Sequence, residues 1–204
     1  TASGYFDGGE STRLEITGLE AIGTGDYTVE CWIYLTAINK YSSIFEYNNF
    51  PSLRIITNNK LTAPMSGIGG IVHPATLTTN TWYHVAIIRH NGYENIYVNG
   101  VGATARENSM NYTATALKIG EVWDSTNGFN FSGYIDEFRI SKGIARWTSD
   151  FTPPTSQYVL NSRPVVHGLT VTFDGEPSAT PILEDMSFGA EYMFTTLKDI
   201  LVIA

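Results

Sequence analysis

The sequence is short of cysteine, of charge and of helical periodicity. Its single cysteine, Cys31, excludes an internal disulfide framework and any zinc site built on cysteine pairs. The four histidines stand apart at positions 73, 84, 90 and 167, so no H-x-x-x-H pair is offered to a metal. Lys and Arg number 12 against 20 Asp and Glu, a formal charge of −8, and only 16% of residues are charged. An acidic chain without a Lys/Arg cluster has no electrostatic footprint for a phosphate backbone or an anionic bilayer. Neither nucleic acid nor a membrane is therefore an expected partner. No apolar run approaches the ~18 residues of a membrane-spanning helix; residues 67–72 come nearest and are too few. No basic stretch precedes an apolar one near the start, so no signal peptide is expected.

What is present is strand-and-turn material. Hydrophobic residues make up 43% of the chain, enough for a core. The polar residues are mostly uncharged Thr, Asn, Ser and Gly, which favour turns, beside β-branched and aromatic residues, which favour strands. In Tyr27–Thr36, Tyr27, Val29, Cys31, Ile33 and Leu35 share one face while Thr28, Glu30, Trp32 and Tyr34 share the other. That alternation predicts a long strand with one buried face, Cys31 serving as a small buried hydrophobe. Trp82–His90 and Tyr93–Val98 flank Asn91-Gly92, a hairpin turn signal, and Asn99-Gly100 turns the chain again into Val101–Ala105. Further strands are expected at Gly4–Phe6, Arg13–Ile16, Ser42–Tyr47, Leu53–Ile56, Lys60–Ala63, Ile71–His73, Ala116–Ile119 and Gly133–Ile140. Many short strands joined by Gly/Asn/Pro turns predict an all-β antiparallel sandwich or jelly roll.

The helix-like piece is Lys142–Trp147, about one turn, which Pro153-Pro154 prevents from continuing. Those prolines mark a boundary, with a first domain at 1–155 and an arm at 156–204. The arm holds a strand candidate at Val165–Phe173 and an apolar end, Leu197–Ala204, that needs cover. It is expected to pack on a partner chain, most simply in a homo-oligomer.

Four ordered pieces of the first 155 residues resemble one family. They are Gly4–Gly8, Gly25–Tyr34, the hairpin from Trp82-Tyr83-His84-Val85-Ala86 to Tyr97-Val98-Asn99-Gly100, and the stretch from Gly133-Tyr134-Ile135-Asp136-Glu137-Phe138-Arg139-Ile140-Ser141 through Ala145-Arg146-Trp147 to Phe151-Thr152-Pro153-Pro154. Together they resemble the concanavalin A-like, laminin G-type jelly roll common in bacteriophage and marine bacterial proteins. The wording of the last piece looks most like phage virion proteins. The resemblance implies a fold, and functions within it include sugar binding, protein binding and glycoside hydrolysis.

Hydrolases of this fold typically carry E-x-D-x-x-E on one strand, and that motif does not occur here. The adjacent pairs Asp136-Glu137 and Glu184-Asp185 would point to opposite sheet faces and make no catalytic dyad. Asp136 alternates with Tyr134, Phe138 and Ile140, so the pattern places it on the apolar face. A carboxylate there needs backbone N–H groups, an arginine such as Arg146, or a cation. The resemblance implies a structural calcium as the cation, with Asp7 and the Gly8 carbonyl completing its oxygen ligands. For a ligand site, the loops at 47–51 and 123–130 combine rings and amides. Aromatic rings stack on sugar C–H faces and amides bond hydroxyls, which singles out Tyr47, Asn48, Trp123, Asp124, Asn127 and Phe129 as carbohydrate-binding candidates. The expected protein is a non-enzymatic virion component of a bacteriophage, extracellular and found on capsid or tail fibre. It would display a lectin-like domain toward host-surface glycans and contact other virion proteins through the arm. A purely structural assembly part, a secreted bacterial lectin module and an atypical glycan hydrolase are the alternatives.

Overall fold

Where apolar and polar side chains alternate, the chain is extended. The computed structural model describes residues 3–9, 12–38, 40–48, 50–65, 69–123, 128–156, 170–174, 191–196 and 200–202. The strands are β1 (Gly4–Asp7), β2 (Arg13–Thr17), β3 (Tyr27–Leu35), β4 (Ser42–Tyr47), β5 (Ser52–Ile55), β6 (Lys60–Ala63), β7 (Ile71–Thr76), β8 (Trp82–His90), β9 (Tyr93–Val98), β10 (Val101–Gly102), β11 (Arg106–Glu107), β12 (Ala116–Ile119), β13 (Ser132–Lys142), β14 (Thr170–Asp174), β15 (Glu191–Thr196) and β16 (Ile200–Val202). Among the described residues there is no helix. The helical turn expected at Lys142–Trp147 is instead the end of β13 followed by turn and bend residues.

Two antiparallel sheets form. Sheet A runs β10-β9-β8-β3-β13-β15-β16, with β11 beside β9 and β1 beside the first half of β13. Sheet B runs β14-β2-β12-β4-β5-β6-β7. The arm's backbone thus continues both sheets, β14 on β2 and β15 on β13. The hairpin turns form where Asn-Gly predicts them. Asn91 and Gly92 have φ of 50° and 77°, and Asn99 and Gly100 have 50° and 79°. Positive φ at both central residues is the type I′ geometry whose twist matches that of paired strands.

The core lies between the sheets. From β3 it takes Tyr27, Val29, Cys31, Ile33 and Leu35, as the alternation predicts. Phe45 of sheet B meets Phe138 of sheet A edge to face at 5.6 Å, a geometry worth about 0.5–1.5 kcal/mol beyond the area it buries. Burial pushes the Cys31 thiol well above its ordinary pKa, so it stays a neutral hydrophobe.

β13 breaks its own alternation. Asp136 pairs with Trp32 and Arg139 with Glu30, so two residues of β13 stand against one of β3. This bulge holds Glu137 at φ 50° and exchanges inward and outward positions beyond it. Ile135 faces the core before the bulge, and Phe138 and Ile140 face it afterwards. Asp136 therefore does not share a face with Phe138 and Ile140. It lies on the outer face of sheet A, beside Trp32.

Candidate functional site

The outer face of sheet A has two halves. One half is roofed. Residues 143–154 cross it as a strap, with Trp147 and Phe151 stacked at 3.8 Å and nearly parallel, packed with Ala145 over Ala86, Ile88 and Tyr97. Polar contacts tie the strap down. The Thr28 hydroxyl donates to Ile144 O (2.9 Å) and accepts from Arg146 N (3.0 Å), and Phe151 N donates to Gly100 O (2.9 Å). Under it Thr28 and Glu30 are fully buried, so β3 has two covered faces there and not the one that alternation predicts. The Glu30 carboxylate is met by Arg139 through Nε (2.8 Å) and Nη2, and by His84 Nε2 at 2.9 Å. Arg146 Nε stands 3.7 Å away. His84 also makes edge contacts with Trp32, Trp147 and Phe151. Rings and charges alike are spent on holding the strap, so this half is structural.

The other half is open and carries a line of aromatic rings. Register places Tyr5 of β1 opposite Tyr134 of β13, Tyr134 opposite Tyr34 of β3, and Tyr34 opposite Trp82 of β8. Ring centroids follow at 5.1, 5.8 and 5.5 Å across these four strands. The end rings are the most exposed, Tyr5 at 56% and Trp82 at 39%. The Tyr34 hydroxyl donates to Asn80 Oδ1 at 3.2 Å. Cross-strand aromatic pairs are good sheet glue, but a ring needed only as glue gains by being covered. Two large rings left in water at the ends of an aligned row form a surface for stacking.

A carboxylate flanks the row on each side. Asp7 follows Tyr5 by two residues on β1, opposite Ser132. The Thr12 hydroxyl, then the Gly9 N–H at 2.7 Å, bond to its carboxylate and hold its pKa below the ordinary value. Asp136 follows Tyr134 by two residues on β13, and burial raises its pKa while the Glu137 N–H at 2.9 Å partly offsets the rise. Lys40 Nζ donates to Ser132 Oγ at 2.7 Å beside Asp7.

These positions do not fit the expected calcium. Asp136 stands four residues along β13 from Ser132, the partner of Asp7, which is about 13 Å of strand. The aromatic row runs between the two carboxylates, and each is already bonded within its own turn. No cluster of three His, Cys, Asp or Glu able to hold a metal occurs among the described residues. The same ~13 Å exceeds the ~6.5–9.5 Å that an inverting glycosidase leaves between its two acids.

The loop residues singled out from composition have different surroundings where the structure describes them. Tyr47 is 1% exposed and belongs to the core, because it pairs with Leu117 on the inward face of β4; it offers no ring to a ligand. Asn48 is exposed, and its N–H bonds to Ala116 O. Trp123 donates from Nε1 to Glu46 O (3.0 Å) and packs on the Lys118 ammonium at 4.8 Å, on the outer side of sheet B. Phe129 stacks obliquely on Tyr41 at 4.9 Å. Asp124 and Asn127 lie outside the described residues. Outward-facing Ser43 and Ser52 of sheet B are fully buried, so that part of the sheet offers a ligand no open face.

Two face-to-face antiparallel sheets with a strapped outer face define a lectin-type jelly roll. Residues 7–146 match the laminin G-type group of the concanavalin A-like lectin/glucanases superfamily, and the chain belongs to that family. No curated protein sequence matches the chain. Solved structures similar to it include a Bacteroides ovatus protein with a proposed carbohydrate-binding role, at 20% identity and a TM-score of 0.55, covering 67% of this chain and 44% of that one. The heptameric pentraxin of Limulus polyphemus is similar at 17% identity and a TM-score of 0.55, covering 72% and 76%. Domain 4 of an extracellular arabinanase from Geobacillus stearothermophilus, solved with arabinotriose, is similar at 20% identity and 0.52, covering 70% and 71%. The chain spans less than half the length of the Bacteroides protein. At these identities the likeness is one of fold.

Proposed function

We propose that this chain is a non-catalytic glycan-binding module displayed on a bacteriophage virion. The observation that carries it is the aligned row Tyr5, Tyr134, Tyr34 and Trp82, open on the outer face of sheet A. Sugar rings present C–H faces that stack on such side chains, and the tyrosine hydroxyls with Asn80 supply hydrogen bonds at the rim. The fold's use in sugar-binding proteins supports the same reading. The virion setting is supported by the likeness of Gly133–Trp147 and Phe151–Pro154 to phage virion sequences. The arm serves assembly of a homo-oligomer, in which many weak sites act together.

The test is binding of the purified oligomer to a glycan array and to intact bacterial envelopes. Binding that falls at least tenfold in the Tyr5→Ala/Trp82→Ala double variant supports the proposal. Silence across both, with a folded oligomer in hand, overturns it in favour of a purely structural virion part.

A further inference from the structure

The shape and charge of the row narrow what it accepts. We infer that its ligand is a single, soluble, uncharged glycan chain of at least three sugars, neither an anionic glycan nor a crystalline polysaccharide surface. The inference rests on the glycan-binding reading above.

Length follows from the end rings. Tyr5 and Trp82 are the exposed ends, with Tyr134 and Tyr34 tucked between them. Three inter-strand steps separate the ends, about 14 Å in all. A monosaccharide covers one ring, whereas a ligand must cross three steps to touch both.

Shape follows from the ring planes. Successive rings are inclined by 47°, 74° and 53°, so the row is faceted. Neighbouring strands also rotate by roughly 20–25°, which turns the line by roughly 60–75° over three steps. A flat crystal face touches one facet of such a surface at a time. A free chain turns about its glycosidic bonds and follows it.

Charge follows from the flanks. Asp7 and Asp136 bracket the row, and the Lys40 ammonium, which donates to Ser132 beside Asp7, offsets the charge at that end, so the net negative flank is at Asp136. At contact distance in water the Asp136 carboxylate weakens an anionic sugar by a factor of roughly three to five.

The experiment is calorimetry with the full chain against neutral oligosaccharides of one to six residues from dextran, laminarin and galactan. Alginate oligomers and sialyllactose form the anionic arm, and pull-down on microcrystalline cellulose and chitin forms the crystalline arm. The expected result is an affinity step at three residues, lost equally in Tyr5→Ala and Trp82→Ala. Anionic ligands should bind roughly three- to fivefold more weakly at low salt, and Asp136→Asn should recover most of that difference. Tighter binding to alginate or sialyllactose, or retention on crystalline polymer, overturns the inference while leaving glycan binding standing. So does binding of monosaccharides as tight as trisaccharides. Absence of binding to every probe overturns the glycan-binding reading itself.

Discussion

Replacing Glu30 with leucine tests whether the covered half of sheet A is held by charge. The carboxylate is fully buried and is matched by Arg139, by His84 and, at 3.7 Å, by Arg146. Removing one member of a buried pair leaves the other desolvated and unmatched, at a cost of about 3–5 kcal/mol. For a chain of this size each kcal/mol moves Tm by about 2–4 °C, so the expected fall is roughly 6–20 °C. Replacing both partners, Glu30→Leu with Arg139→Met, removes the unmatched charge and should restore most of the loss. Urea denaturation followed by circular dichroism gives the single and double free energies, and the cycle gives their coupling. A single-variant loss below about 1 kcal/mol, the scale of an exposed pair, would refute the reasoning. So would a double variant that loses the sum of the two singles.

Gly133→Ala should destabilise the sandwich, because φ is 142° and a Cβ would sit 1.9 Å from the Tyr34 carbonyl oxygen; strain alone costs about 1–3 kcal/mol, and an unchanged urea midpoint would contradict it. Trp147→Ala removes half of the stacked pair on the strap; with the indole only partly buried, the expected loss is about 2 kcal/mol, read by the same denaturation. Burial raises the Asp136 pKa above its ordinary 3.8, so the folded chain prefers the protonated acid. That contribution is fully present below about pH 3.8 and is lost as pH rises through the raised folded value. Asp136→Asn should therefore stabilise the chain near neutral pH and be neutral near pH 3; equal effects at both would disprove the assignment. Deleting residues 156–204 should leave a folded monomer, since the first 140 positions already supply a core from both sheets among the described residues. Sedimentation showing a persistent oligomer, or loss of the folded signal, would place the arm inside the core.

Much of the fold is legible in the sequence because alternation fixes which side chains face inward within a strand. β3, β4, β6, β8, β9 and β12 fall within a residue of the pattern, and the two Asn-Gly turns have the φ signs their composition demands. Asp136 is misplaced by the same rule. A bulge adds one residue at Glu137, and nothing in the local pattern distinguishes a strand that shifts phase from one that does not. The aromatic row is invisible for a different reason. Tyr5, Tyr34, Trp82 and Tyr134 each look like an ordinary outward residue of its own strand, and only register brings them into line. Tyr47 shows the converse error, in which a loop composition of rings and amides includes a ring that closes the core.

The position of β3 at the middle of sheet A has a consequence for synthesis. One edge of β3 is taken by β8, about 50 residues later, and the other by β13, about 100 residues later. While the chain emerges from the ribosome, β3 can pair with β8 early, but its second edge stays unsatisfied until residue 142 has cleared the exit. The strap that seals Glu30 follows later still. A nascent chain stalled before β13 therefore carries an open strand edge and an uncovered acid in its central strand, a template for pairing with other chains. The closing strand, the bulge and the strap lie in one short stretch, so β3 gains its second edge and its cover only late in synthesis.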